Sequence, residues 1–215
     1  MEKIIAIGDI HGQIEKLNRL WYKIHDQITN HTIVFMGDYI DRGPNSKGVI
    51  DFLLALKKKY SNSFIFLKGN HEDMFLDYLS LGGSHGEVFI LNGGQTTLQS
   101  YNGPRNIPFE HTEFFLNLDT YYYPQQAPYI FVHAGLRPKL KFAQQNEEDM
   151  IWIREEFIYF DGSFPEERTV VFGHTPMRSG EPLLHANKIG IDTGAAYGGP
   201  LTALFLPEKK IVRAH

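Results

Sequence analysis

Residues 33–43 read IVFMGDYIDRG, and this stretch decides how the chain is understood. Residues 33–36 are a continuous apolar run that stops at Gly37-Asp38, the pattern of a strand buried on both faces and ended by a turn. The pattern recurs on either side: residues 4–7 run into Gly8-Asp9, and residues 64–67 are followed by Gly69-Asn70. Helical spacing separates these runs. Ile14, Leu17, Trp21, Ile24 and Ile28 share one face, as do Val49, Phe52, Leu53 and Leu56, and then Met74, Phe75, Tyr78 and Leu79. Asp9, Asp38 and Asn70 recur about every 30 residues, the length of one βαβ unit. The three strands are therefore expected to run parallel and to bring these side chains to one sheet edge, where α/β sheets keep their ligand sites.

Further apolar runs lie at 129–132 before His133, 170–172 before Gly173-His174, 189–191 before Asp192, and 201–206. From Thr169 onward strands dominate, with turns at Gly198-Gly199-Pro200 and Pro207-Glu208, so a β-rich layer is expected and not a second domain. Residues 82–94, 102–108 and 161–167 are rich in Gly, Pro and Asn and read as surface connections, with walls of a substrate groove as the alternative. The run Tyr121-Tyr122-Tyr123 reads as packing.

Composition narrows the function. With 215 residues, one α/β domain over the whole length, 1–215, is the natural expectation. A net charge of −4 argues against a general grip on nucleic acid, and two divalent cations would neutralise it. The absence of cysteine removes disulfides and thiolate metal sites, leaving oxygen and imidazole as ligand chemistries and suiting a reducing interior. The apolar run after Lys3 is too short for a secretion signal, and no segment approaches the ~20 apolar residues of a membrane span. The expectation is a cytoplasmic protein with no membrane partner.

The chemistry gathers at the strand ends. Gly8-Asp9-Ile10-His11-Gly12 offers a carboxylate and an imidazole, although a strand-end Asp can equally cap the next helix. Gly37-Asp38 adds a second strand-end carboxylate, followed by Asp41 and Arg42, and Gly69-Asn70-His71-Glu72 adds an amide oxygen and another imidazole. Two carboxylates, an amide and imidazoles converging at one edge would be mutually repulsive and poorly solvated without a cation. His133 and His174 extend the set. Oxygen and nitrogen ligands without sulfur suit Mn, Fe or Zn better than Ca, and a shared carboxylate suits a metal pair. His185 is an alternative to His174, whose strand-end position is the better geometry.

The ordered motifs GDIHG, GDYIDRG, GNHE, HAG and GHT, spread over residues 8–175, resemble those of the PPP serine/threonine phosphatases within the calcineurin-like metallophosphoesterases, especially the short bacterial and phage members. His174-Thr175-Pro176 and Asp192-Thr193-Gly194 match that short bacterial type. The resemblance implies a β-sandwich flanked by helices, with a dimetal site at the carboxyl ends of the strands. It implies a first cation on Asp9, His11 and Asp38, and a second on Asp38, Asn70, His133 and His174, with Asp38 bridging. It further implies Arg42 as a phosphate ligand, His71 as proton donor to the leaving group, Asp41 as the carboxylate that orients His71, and Arg154 as a second phosphate arginine, unless Arg154 is simply an exposed helix residue.

Two divalent cations, Mn first with Fe or Zn as alternatives, would then activate a bridging hydroxide toward phosphoserine, phosphothreonine or phosphotyrosine in a protein or peptide, in a monomer or weak oligomer. Rival readings are a symmetrical bis(5'-nucleosyl)-tetraphosphatase, a phosphodiesterase or nuclease, and a non-catalytic phosphate-binding scaffold. Asp41 before Arg42, and Glu72 after His71, follow the protein-phosphatase pattern.

Overall fold

The computed structural model describes residues 2–60, 64–177 and 179–215. Its elements follow the apolar runs: β1 (Lys3–Ile7), α1 (Ile14–Ile24), β2 (His31–Phe35), α2 (Ser46–Lys59), β3 (Phe64–Phe66) and α3 (Asn70–Tyr78). Then come α4 (Gln95–Ser100), α5 (Phe109–Leu116), β4 (Tyr121–Tyr122), β5 (Tyr129–Val132), α6 (Glu147–Trp152) and α7 (Glu155–Ile158). The chain closes with β6 (Thr169–Phe172), β7 (Leu183–Leu184), β8 (Lys188–Gly190), β9 (Leu201–Leu206) and β10 (Lys210–Ala214).

The strands form two five-stranded sheets, ordered β10-β9-β1-β2-β3 and β4-β5-β6-β8-β7. Within the first, β1, β2 and β3 are parallel, while β9 lies antiparallel to β1. Within the second, β5, β6 and β8 are parallel. Side-chain alternation explains the continuous apolar runs. Ile4, Ala6, Val34 and Met36 pack with Phe131, Val171 and Ile189 in a core between the sheets. Their neighbours Ile5, Ile7, Ile33 and Phe35 face outward onto α1, α2 and α3, through Leu17, Val49, Leu53 and Phe75 among others. On the far face of the second sheet Ile130, Val132, Val170 and Phe172 meet Met150, Ile153 and Phe157 of the α6–α7 region. Every central strand is thus covered on both sides, and the result is a helix-flanked β-sandwich.

Residues 82–94, which read as a surface connection, contain a short π-type turn over Ile90–Gly94 that leads directly into α4. Tyr121 and Tyr123 pack their rings on Phe142, and Tyr122 packs on Phe131, in keeping with a packing role.

Candidate metal centre and active site

Six parallel strands deliver polar residues just beyond their carboxyl ends. Asp9 follows β1, Asp38 follows β2 and Asn70 follows β3; His133 follows β5, His174 follows β6 and Asp192 follows β8. All six are at least 96% buried. The turns that carry them are tight: Gly69 and Gly173 lie so close to Asp38 and Asp9 that a Cβ on either would meet a carboxylate oxygen at 2.1 or 2.0 Å. His11, Asp38, Asp41, Arg42 and His174 all adopt left-handed backbone, with φ from 46° to 70°. Such angles cost a non-glycine residue roughly 1 kcal/mol or more, and they cluster where function over-determines the geometry.

Asp38 stands between two groups of imidazoles. His11, Asp38 and His71 bring ligand atoms within 4.8 Å of one another, and so do Asp38, His133 and His174. The His11 Nε2 lies 3.4 Å from Asp38 Oδ2, and the His133 Nε2 lies 3.3 Å from Asp38 Oδ1, so the two carboxylate oxygens face different groups. Asn70 Oδ1 completes the second, 3.2 Å from His133 Nε2 and 2.9 Å from His174 Nδ1. Asp9 joins neither close group; its Oδ2 accepts the His174 N–H at 2.8 Å, and its Oδ1 is buried with no hydrogen-bond partner among the described residues.

Backbone carbonyls set the ring tautomers. Nδ1–H of His11 donates to Ile40 at 2.8 Å, and Nδ1–H of His133 donates to Met36 at 2.7 Å, which turns the Nε2 edge of both rings toward Asp38. Burial lowers the His11 pKa to about 3, leaving a neutral ring whose Nε2 accepts from Arg42 Nη1 at 2.7 Å. Burial also opposes charge on His133, but the Asp38 carboxylate outweighs it and pushes that ring up to about 9. Burial works against the charge of Asp38 too, yet His133 and His71 hold its pKa well below the carboxylate range. Asp9 is pushed the other way, by burial and by the charge of Asp192. These are the symptoms of ligands that compensate one another where a cation would do so better. The donor set of carboxylate and amide oxygen with imidazole, and the partnerless Asp9 Oδ1, fit divalent cations.

Beside this group lies an acid–base pair. Asp41, 0% exposed, receives His71 Nδ1 on its Oδ2 at 2.6 Å, and the His71 Nε2 is buried, without a hydrogen bond among the described residues, 3.9 Å from Asp38 Oδ2. Burial raises the Asp41 pKa and lowers that of His71 to about 4, so both changes favour an uncharged pair. A pair that keeps one proton between Nδ1 and Oδ2 carries its other proton on Nε2, whichever partner holds the shared one. The free edge of His71 is then a donor.

Arg42 and Arg154 approach from the rim, both near enough for their charge to bear on His71. Arg154 directly precedes α7, is exposed, and donates from Nη1 to the His174 carbonyl at 3.3 Å. His185 is exposed and bonds Asn187 beside β7, so the alternative of His185 in place of His174 falls away: the short β7–β8 hairpin carries it from the strand ends. Sequence reasoning left three contributors without a role. Asp192 obeys the strand-end rule that found Asp38, and burial pushes its pKa up to about 6. Glu72 accepts backbone N–H bonds from Asp38, Tyr39 and Gly69 at 2.8 to 3.0 Å, tying the β2 and β3 turns together. Thr97 holds Asp41 from α4, a helix whose sequence carries no signal of it.

Buried acids and imidazoles gathered around one shared carboxylate, with arginines at the rim, equip a molecule for metal-dependent hydrolysis of phosphate esters, and fold and site together define that class. The chain belongs to the calcineurin-like phosphoesterase family, whose model matches residues 2–215. It is 30% identical to the asymmetrical bis(5'-nucleosyl)-tetraphosphatase PrpE of Oceanobacillus iheyensis, over 98% of this chain and 91% of that protein. It is 29% identical to serine/threonine-protein phosphatase 1 of Salmonella typhimurium, over 92% of this chain and 88% of that protein. Among solved structures, a candidate diadenosine tetraphosphatase superposes with a TM-score of 0.74 at 23% identity, covering 99% of this chain and 93% of that one, a likeness of fold. The tetraphosphatase relative is of the asymmetrical kind, not the symmetrical kind raised as a rival from sequence. Among the described residues no helix is long and apolar enough to cross a membrane.

Proposed function

We propose that this metallophosphoesterase is a phosphoprotein phosphatase, removing phosphate from serine and threonine, and by the same chemistry from tyrosine, in a protein or peptide. Asp9, His11 and Asp38 would hold one cation, and Asp38, Asn70, His133 and His174 a second, with Mn the expected metal. Such cations supply Lewis acidity that activates water near neutral pH and polarises the phosphoryl group. Arg42 and Arg154 would grip the phosphoryl oxygens, since a planar fork matches their geometry.

The observation that carries the choice of substrate is the 2.6 Å Asp41–His71 bond with the His71 Nε2 left free toward Asp38. A serine alkoxide is a poor leaving group and needs a proton delivered as its bond to phosphorus breaks. A nucleotide leaving from a tetraphosphate departs as a stable anion and gains little from such a donor. The second reading, an asymmetrical dinucleoside tetraphosphatase, is favoured by the name of the 30%-identical relative.

Parallel assays of the Mn-containing protein on a phosphoserine peptide and on diadenosine tetraphosphate decide between them. The expected result is the higher kcat/KM on the peptide. Efficient cleavage of the tetraphosphate with the peptide left intact would overturn the proposal in favour of the second reading.

A further inference from the structure

We infer that Thr97, backed by Ser46, is a positioning residue that fixes the Asp41–His71 pair. Resting on the reading of His71 as leaving-group acid, the inference identifies what holds that acid in place. Asp41, Ser46, Thr97 and His71 are all 0% exposed, so the Asp41 carboxyl and the two hydroxyls must find their partners within the protein. Thr97 Oγ1 lies 2.6 Å from Asp41 Oδ1, where a hydroxyl can only donate to a carboxylate that keeps its other oxygen for His71. With its one proton committed, Thr97 Oγ1 accepts: from the Asp41 N–H at 2.8 Å, and from the Ser46 hydroxyl at 2.8 Å. Ser46 Oγ in turn accepts from the same Asp41 N–H at 3.1 Å. The two hydroxyls therefore grip Asp41 by both its backbone and its side chain.

This grip falls where the backbone resists. Asp41 and Arg42 are consecutive left-handed residues, with φ of 70° and 66°, a pairing that local preference does not sustain. The segment leading into α4 supports both. Gly93 accepts the Arg42 N–H at 3.2 Å, and Thr97, four residues on, takes Asp41. Gly93 itself has a φ of +102°, and a Cβ there would approach the Arg42 Cγ at 2.9 Å. Among the described residues the Thr97 hydroxyl bonds only Asp41 and Ser46, and it acts through Asp41; losing its proton would free the carboxylate to rotate and swing the His71 ring from its line to the substrate.

The test uses Thr97→Val, which keeps the shape and deletes the hydroxyl, Thr97→Ser, which restores it, and Ser46→Ala. Each is made in the otherwise wild-type protein and in a His71→Asn background. Thr97→Val is expected to lower kcat on a phosphoserine peptide on the order of 10- to 100-fold, part of the ~10²–10⁴ that a general acid contributes. KM and bound metal should change little, and the loss on p-nitrophenyl phosphate should be distinctly smaller. Thr97→Ser should recover most of the loss, and in the His71→Asn background Thr97→Val should add almost nothing, since the two act as one unit.

A second readout is independent of turnover. The His71 ring proton shared with Asp41 should give a far-downfield NMR resonance in zinc-containing protein, and Thr97→Val should shift or broaden it. Should Thr97→Val not fold, Ser46→Ala carries both readouts, with a smaller effect of the same kind. An unmoved resonance, or a full additive loss in the His71→Asn background, overturns the positioning role. A moved resonance without selective loss on the poor leaving group instead overturns the reading of His71 as the acid, leaving Thr97 as what orients it.

Discussion

At Asp38 the φ is 51°, and both carboxylate oxygens are committed, one toward His11 and one toward His133. Asparagine tolerates this backbone well, so Asp38→Asn removes charge and ligation with little disturbance of the turn. It should reduce kcat/KM by more than the ~10- to 100-fold typical of losing a partner outside the ligand set, and by more than Asp9→Asn does, because two cations depend on it. Steady-state kinetics on both variants check the order, and a clearly worse Asp9→Asn would deny the sharing. His71 should behave differently. His71→Asn is expected to cost ~10²–10⁴-fold on a phosphoserine peptide and much less on p-nitrophenyl phosphate, whose leaving group departs unaided, with metal content near wild type. Equal losses on the two substrates would remove it as the acid, and loss of metal would make it a ligand. Asp9, His11, Asp38, Asn70, His71, His133 and His174 could all be found from sequence because each ends or closely follows an apolar strand run. Ser46 and Thr97 could not: Thr97 acquires its meaning only when folding brings it 56 residues to Asp41, and Ser46, five residues after Asp41, acquires its own only with Thr97 beside it across 51 residues.

Strand turns and helix starts convert these residues into a site. Glu72, in the first turn of α3, acts as an acceptor: N–H groups of Asp38, Tyr39 and Gly69 surround its oxygens. Burial pushes its pKa up to about 8, yet its oxygens accept from backbone N–H groups of both turns, so the turn is built around an acceptor at this place. Glu72→Ala would orphan three buried N–H groups at about 1–3 kcal/mol each, so a loss of at least ~3 kcal/mol is expected, measured as a fall in the urea midpoint. A change under about 1 kcal/mol would show that water replaces the carboxylate without cost.

The α6–α7 region carries Arg154, and its start is fixed by Asp149, which receives a fork from Arg137 Nε and Nη2 at 2.8 and 2.5 Å and also bonds Asn146. The Arg137 bonds hold the Asp149 pKa below the usual carboxylate range. A folded-state pKa below the unfolded one contributes stability above the unfolded value and loses it as pH falls through the folded one. Wild type should therefore outlast Asp149→Asn at neutral pH, and the gap in Tm should close below about pH 4, the ordinary aspartate value. A gap that stays constant into acid would mean that the carboxylate charge plays no part. Seven strands and the first three helices were legible because apolar periodicity states them directly, whereas β4, β7 and β10, short or half-exposed at the sheet edges, carry no continuous apolar run. Residues 82–94 were not, because their glycines serve a π-type turn and the close approach of Gly93 to Arg42, which composition cannot distinguish from a loop.

For the molecule as a whole, parallel strands from both sheets bring Asp9, Asp38, Asn70, His133, His174 and Asp192 to one buried place, drawn from positions 9 to 192. The β-rich second half was legible, but its distribution was not: β9 and β10 return to pair beside β1 while β6, β7 and β8 build the second sheet, a choice made by packing across the inter-sheet core. A site assembled over such distances links metal binding to folding, since the unfolded chain holds no such cluster. Chelation should abolish activity and lower the Tm, and Mn should restore both; a ligand at 100 times its Kd stabilises by about 2.7 kcal/mol. Turnover that persists in metal-free protein would exclude the mechanism. The most direct measurement is an anomalous difference map from crystals equilibrated with Mn. Two peaks are expected, sharing Asp38, one on the side of Asp9 and His11 and the other bounded by Asn70, His133 and His174. A single peak, or two that do not both touch Asp38, would contradict the shared dimetal centre.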